Sequence, residues 1–298
     1  MKKASHLVRF IVVALALCVC LPACTGEKGH KGSAQVEDSV QYSFFVAGHV
    51  YGNPVGYYPG LYKPLLESIP FFDEEENLEF GVFTGDVVPM PLPEYFESAI
   101  VSMSKFPVPI KIAQGNHDRN AIYKSPWPEY FSEEIHGDLH IYLAPTEWQI
   151  KNKQLKFFHD QVARADSFEN VFIFVHELLW WSPDNRFSGV DINWEPHYNT
   201  NCNFWSELHP ALDSLDNDVY LMAGDLGASK HVTPFMFHRQ DNITFIGSGM
   251  GGEVMDNFII VDVMDDQTVQ FRHFEFDMDS VRQLPDLSSY ELPLPDEN

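Results

Sequence analysis

Five apolar runs in this chain, each rich in β-branched or aromatic residues, break into a polar turn. They are 41–47 before Gly48-His49, 78–83 before Thr84-Gly85-Asp86, and 108–113 before Gln114-Gly115-Asn116-His117-Asp118. The other two are 170–175 before His176 and 219–223 before Gly224-Asp225. Runs of this length bounded by glycine read as strands, and the unbroken 170–175 run is typical of a strand buried on both faces. Between them lie segments with helical spacing: 94–105, with Tyr95, Phe96, Ile100, Val101 and Met103, and 151–165, with Leu155, Phe158, Val162 and Ala163 on one face. A short helix around 65–69 and a longer one over 204–215 complete a strand, helix, strand rhythm, which predicts an α/β chain. The runs at 231–237, 243–246, 258–263 and 268–276 are expected to form antiparallel ribbons.

The polar residues past the breaks are His49, Asp86, Asn116 with His117 and Asp118, His176 and Asp225. Any one of them is ordinary, because strands end and polar turns end them. Five breaks drawn from His, Asp and Asn are the ligand set of a metal site, and the carboxyl ends of α/β strands are where such folds gather their chemistry. An Asn amide oxygen can hold a metal, a neighbouring His can move a proton near neutral pH, and an Asp can fix the tautomer of that His.

The amino-terminal segment bears on compartment and not on fold. Lys2, Lys3 and Arg9 precede an apolar run from Phe10 to Leu21, the pattern of a secretory leader and too short for a mature membrane span. A plain secretory signal accounts for it. The ending Leu21-Pro22-Ala23-Cys24 also resembles the lipobox of bacterial lipoproteins, which implies a leader of residues 1–23 and lipidation at Cys24, with a periplasmic or cell-surface domain anchored by acyl groups. Loss of the leader takes three positive charges and no negative ones, moving the net charge from −24 to −27. Such acidity argues against nucleic acid, and against any membrane association other than the lipid anchor. Cys18 and Cys20 leave with the leader, so Cys202 has no partner for an internal disulfide. It reads as a small buried apolar residue. Residues 24–39 are polar and glycine-containing and are expected to be a tether, the domain is expected over 40–276, and the acidic, proline-rich stretch 277–298 reads as a disordered tail.

The order Gly-His, then Gly-Asp after 37 residues, Gly-Asn-His-Asp after 30, a strand-ending His after 60 and Gly-Asp after 49 resembles the calcineurin-like metallophosphoesterases over 41–276. The resemblance implies a pair of packed mixed sheets flanked by helices, an α/β (α+β) sandwich, and hydrolysis of phosphate mono- or diesters with one or two divalent ions. By position, Asp86 bridges the two metals, and Asn116, His176 and Asp225 complete the second site. Asp225 stands where the family has histidine, a change that favours Mn, Mg, Ca or Fe over Zn. The first site keeps His49 and Asp86. Ala47 and Gly227 stand where the family places an aspartate and a histidine, and His231 is the one nearby residue that could substitute.

The resemblance further implies proton transfer by His117, with Asp118 orienting its ring. Two loops carry aromatics, 51–62 with Tyr51, Tyr57, Tyr58 and Tyr62, and 177–203 with Trp180, Trp181 and Trp194. They are expected to rim one pocket, with Tyr51, Trp180 and Trp181 as substrate contacts for a phosphorylated sugar or other glycan phosphoester; a self-packed loop is the alternative. The ligands missing at positions 47 and 227 keep open a second reading, a catalytically silent envelope module that binds glycan or phosphosugar.

Overall fold

Along the first strand, β1 (Val40–Ala47), Tyr42, Phe44 and Val46 alternate with Phe45 and Ala47, and both sets are fully buried. A strand apolar on both faces must lie inside a sheet that is covered on both sides. β1 does so. It pairs in parallel with β2 (Leu78–Phe83) and antiparallel with β10 (Asn257–Met264). β3 (Ile110–Ile112) extends the parallel side, while β11 (Val269–Asp277) and β12 (Ser280–Gln283) extend the antiparallel side, giving a six-stranded sheet in the order β12-β11-β10-β1-β2-β3. A second six-stranded sheet runs β4 (Phe131–Ile135), β5 (Asp138–Tyr142), β6 (Asn170–Phe174), β7 (Asp218–Ala223), β9 (Ile243–Ser248) and β8 (Phe235–Gln240). Its four central strands are parallel and its two edge strands antiparallel.

The computed structural model describes residues 39–52, 60–277 and 280–292. The leader, Cys24, the tether up to residue 38, and Tyr57 and Tyr58 lie outside the described residues. No helix among the described residues is long and apolar enough to cross a membrane.

Three apolar clusters stack the molecule into layers. The two sheets meet through Phe44, Phe80 and Val46 on one side and Phe172, Phe174 and Met222 on the other, with the Phe44 and Phe172 rings edge to face at 5.2 Å. The outer face of the first sheet is covered by α1 (Lys63–Glu67), α2 (Ile69–Asp73) and α3 (Pro93–Met103) through Leu65, Phe72, Phe96 and Ala99. That of the second sheet is covered by α4 (Asn152–Val162) and α5 (His209–Asp213) through Phe158, Val162 and Leu212. The result is the expected sandwich of two mixed sheets flanked by helices.

Two sequence expectations need correction. The domain does not stop at 276, because β12 pairs with β11, and Leu284 and Leu287 are buried in the inter-sheet core. The expected helix over 204–215 is a π-helical turn at Phe204–Leu208 followed by α5, with Pro210 in the first turn of α5. Proline lacks the N–H that a continuous helix needs and fits a helix start.

The inter-sheet core also holds polar groups. The Tyr42 hydroxyl donates to Asp138 at 2.6 Å and lies 3.2 Å from His140 Nε2, and Asn170 donates to the same carboxylate from its backbone and side chain. His140 is fully buried, and burial, with Lys111 adding to it, lowers its pKa to about 3. The native state therefore keeps His140 neutral where the unfolded chain protonates it near 6.5, so the unfolded state binds more protons between pH 6.5 and 3. Stability from this residue is present above that window and is lost as pH falls through it. Relative to His140→Gln, the wild type is expected to lose about 2–3 kcal/mol between pH 7 and 4.5. Urea unfolding of both proteins at the two pH values measures it, and parallel pH dependence would refute the assignment.

Candidate metal centre and its cleft

Parallel strands point their carboxyl ends to one side, and the predicted polar residues follow those ends. His49 comes after β1, Asp86 after β2, Asn116 after β3, His176 after β6 and Asp225 after β7. The strand breaks are tight. Gly85 has φ +85°, and a Cβ on it would meet the backbone N of Gly115 and the Cβ of His176 at 2.7 Å. A Cβ on Gly115 would sit 2.3 Å from Asp86 Oδ1. Glycine at both positions lets three loops close onto one carboxylate.

Ligand atoms of Asp86, His176 and Asp225 lie within 4.8 Å of one another, and all three residues are buried. His176 Nε2 is 3.3 Å from Asp86 Oδ1 and 3.7 Å from Asp225 Oδ1. His49 Nε2 approaches the other Asp86 oxygen at 3.8 Å. The tautomers are fixed from behind, since Nδ1–H of His176 donates to the Thr84 carbonyl and that of His49 to the Met250 carbonyl, both at 3.0 Å. Each imidazole is left with Nε2 toward the carboxylates, the usual backing of a metal-binding histidine. Asn193 donates to Asp225 at 2.9 Å and the backbone of His117 to Asp86 at 3.1 Å.

The electrostatics ask for positive charge at this point. Burial works to lower the His176 pKa, but Asp86 and then Asp225 outweigh it and hold the imidazole well above its usual value. Burial likewise works to raise Asp86, and the charges of His176 and His117 hold it below the carboxylate range. His49 is lowered by burial, with Asp86 and Asp225 opposing. Asp86 Oδ2 and His176 Nε2 are buried without hydrogen-bond partners. Orphaned groups of this kind are costly unless something binds them. Two carboxylates and an imidazole suit a divalent ion, so the residues fit the metal that the sequence implies.

The centre opens into a cleft of about 570 Å³. His49, Asn116, His117 and Asp225 line it, as does Tyr51, whose ring lies 4.4 Å from His49 and 5.3 Å from His117. Asn116 is exposed on this wall. His117 donates Nδ1–H to the Pro89 carbonyl at 2.7 Å.

Other predicted residues are placed differently. Asp118 does not orient His117, because the Pro89 carbonyl holds that ring. Asp118 is fully buried, and its carboxylate accepts the backbone N–H groups of Val87, Val88 and Gly115 at 2.8, 3.1 and 2.8 Å. It ties the loop after β2 to the loop after β3. Burial, with the Asp86 charge next, pushes its pKa up to about 6. Trp180 and Trp181 are not on the rim. Both belong to the core outside the second sheet, Trp180 against Phe245 at 5.3 Å and Trp181 donating Nε1–H to the Val190 carbonyl at 2.9 Å. Covering that apolar sheet face takes precedence over lining a pocket. Tyr62 donates to Asp256 at 2.7 Å, away from the cleft lining. His231 is exposed and does not line the cleft. Cys202 packs beside the second core and bonds the Leu179 carbonyl, and burial pushes its thiol up to about 11, which leaves it unreactive near neutral pH.

The cleft also contains residues that the sequence did not single out: Glu147, Trp148, Glu177, Asn193 and His197. Glu177 directly follows His176, is almost fully buried, and burial pushes its carboxyl up to about 7. Adjacency to a strand-ending histidine was the one available signal. Trp194, placed on the expected loop, does reach the cleft.

No family model and no curated protein matches this chain. Among solved structures it is similar to a conserved uncharacterized protein of Streptococcus pneumoniae, described as a predicted phosphoesterase. Identity is 12% over 82% of this chain and 97% of that one, with a TM-score of 0.38. A second is the NAD nucleotidase of Haemophilus influenzae, at 8% identity over 86% of this chain and 57% of that one, TM-score 0.37. A third is a phosphoesterase from E. coli, at 11% identity over 79% of this chain and all of that one, TM-score 0.34.

Proposed function

We propose that this chain hydrolyses phosphate mono- or diesters with a divalent metal held by Asp86, His176 and Asp225 and assisted by Asn116. The observation that carries the reading is the buried Asp86, His176, Asp225 group, with its unpartnered Oδ2 and Nε2, opening into a cleft beside His117. A bound divalent ion supplies positive charge to a phosphoryl group and eases the deprotonation of water. The protein's own part is positional. Asp86, with its φ of +53°, is locked by the glycine turns, and carbonyl partners behind His49 and His176 keep their Nε2 atoms forward. His117, with Nδ1–H committed to Pro89, has Nε2 left for proton transfer, and it is the imidazolium form, protonated at both nitrogens, that gives the Nε2 proton to the departing alkoxide.

His117→Ala is expected to lower kcat about a hundredfold for an alkyl phosphodiester and far less for a p-nitrophenyl ester, whose leaving group needs no proton. Metal content should not change. Equal losses on both esters would remove His117 from proton transfer.

The metal site reads as mononuclear. Ala47 and Gly227 offer no side-chain donor atoms, and among the described residues His49 adds a single imidazole beside Asp86. The same observation favours the second reading, a silent module that binds an envelope glycan. Saturable glycan binding by metal-loaded protein that turns over no phosphoester would support that reading, and metal-dependent turnover would eliminate it. The substrate is proposed to be a small molecule or glycan ester outside the cytoplasm, with Cys24 as the lipid anchor. Cys24→Ser is expected to move the protein from the membrane to the soluble fraction, and an unchanged distribution would count against the anchor.

A further inference from the structure

Away from the ligand group, the cleft is walled by rings and carboxyl groups. Trp148 and Trp194 line it together with Glu147 and Glu177, and no lysine or arginine is among its lining residues. A phosphoester enters carrying negative charge, and sites for such substrates commonly offer cations to every part of it. This wall offers no permanent cation, its one imidazole being His197 against Trp194 at 5.5 Å, so an anionic ester arm meets carboxylates there while a cationic arm meets carboxylates and aromatic faces.

Two further features point to a ligand at this wall. Glu177 is 5% exposed, and its Oε2 has no hydrogen-bond partner. Glu147 and Trp148 have φ +51° and +62° in succession, closed by paired backbone hydrogen bonds between Thr146 and Gln149. A two-residue turn with both central residues left-handed normally takes Asn-Gly. A Glu-Trp pair there is strained, and strain of this kind persists where a residue is held for use. Trp148 reaches the lining from the core outside the second sheet, 4% exposed and braced edge-on by Tyr198 at 5.4 Å, whereas Trp194 is 55% exposed at the cleft.

We propose that this wall is a subsite for an organic ammonium group, so that the substrate is a phosphate diester with one choline- or ethanolamine-type arm. The proposal rests on the phosphoesterase reading. In hydrolysis the oxygen of water forms a new bond to phosphorus as one P–O ester bond breaks. The departing oxygen keeps the bonding pair and takes a proton, so the ester and water become an alcohol and a phosphate monoester, and the ammonium group is unchanged. Trp194 offers the cation its exposed ring, the largely buried Trp148 closes the wall behind it, and Glu147 and Glu177 supply the opposing charge.

The test compares p-nitrophenyl phosphorylcholine with its neutral isostere, p-nitrophenyl 3,3-dimethylbutyl phosphate, on manganese-loaded protein. The cationic ester is expected to have at least a tenfold higher kcat/KM, and Trp194→Ala or Glu147→Gln, both at exposed residues, should bring the ratio toward one. Turnover of both esters at equal rates, or a ratio unmoved by both variants, would overturn the subsite and leave the phosphoesterase reading intact. Quenching of tryptophan fluorescence by choline, and not by 3,3-dimethylbutanol, reads the subsite without turnover. Quenching with no hydrolysis of either ester would sustain the subsite while the phosphoesterase reading fails, and equal response to both alcohols would overturn the subsite. Hydrolysis of soluble glycerophosphocholine or of phosphatidylcholine vesicles then tells a free ester from a lipid head group.

Discussion

Asp86→Ala is expected to abolish stoichiometric binding of a divalent ion and to lower turnover of an aryl phosphodiester by about a thousandfold or more, the scale of a lost electrostatic contribution of roughly 4 kcal/mol. Asp86 is the residue on which the centre converges. It faces His176 at 3.3 Å, His49 at 3.8 Å and the backbone N–H of His117 at 3.1 Å, and its second oxygen has no hydrogen-bond partner. The fold should survive, because without the carboxylate the buried His176 is neutral and keeps its Nδ1–H on the Thr84 carbonyl, so no unpaired charge is left behind. Circular dichroism and thermal unfolding in chelator, compared with wild type in chelator, check that point. A variant that keeps both its metal and its rate would show that the carboxylate is structural.

The second large effect is on stability. Asp118→Ala leaves the N–H groups of Val87, Val88 and Gly115 without their acceptor inside the protein. At roughly 1–3 kcal/mol for each buried unpaired group, partly relieved by water, the loss is about 3–5 kcal/mol. For a domain of this size that lowers Tm by about 8–15 °C. The measurement separates two roles. A residue that oriented His117 would change the pH profile at constant Tm, whereas a residue that ties two loops lowers Tm and weakens metal binding through the displaced Asp86 turn. An unchanged Tm would contradict the structural role.

The contrast between these two aspartates shows what was legible in the sequence. The strands inside the sheets could be read because both of their faces are buried over most of their length, so 44–47, 80–83 and 171–175 carry no polar side chain. The β4–β5 hairpin could not. β4 is a partly exposed edge strand, and β5 places Asp138 and His140 in the core, where Tyr42 and Asn170 satisfy the carboxylate. Polar residues paired across 96 positions of chain break the apolar pattern that sequence reading depends on. The end of the domain was hidden in the same way, since acidic composition masked Leu284 and Leu287.

At the site, residue type and spacing located the histidines and aspartates after the strand ends, but not the direction of each side chain. Resemblance and adjacency both point Asp118 at His117, yet its carboxylate is spent on three backbone donors. Trp180 and Trp181 were assigned to the rim because their loop follows β6, yet the sheet face beneath them had to be covered. Trp148 lies on a strained turn whose left-handed backbone carries no Gly or Asn to announce it.

The central claim is that Asp86, His176 and Asp225 hold a metal on which hydrolysis depends. Its most direct test is the turnover of an aryl phosphodiester by chelator-stripped protein titrated with manganese. The predicted result is no turnover without metal and full recovery at about one ion per chain. Undiminished turnover in the stripped protein, or none at any manganese concentration, would contradict it.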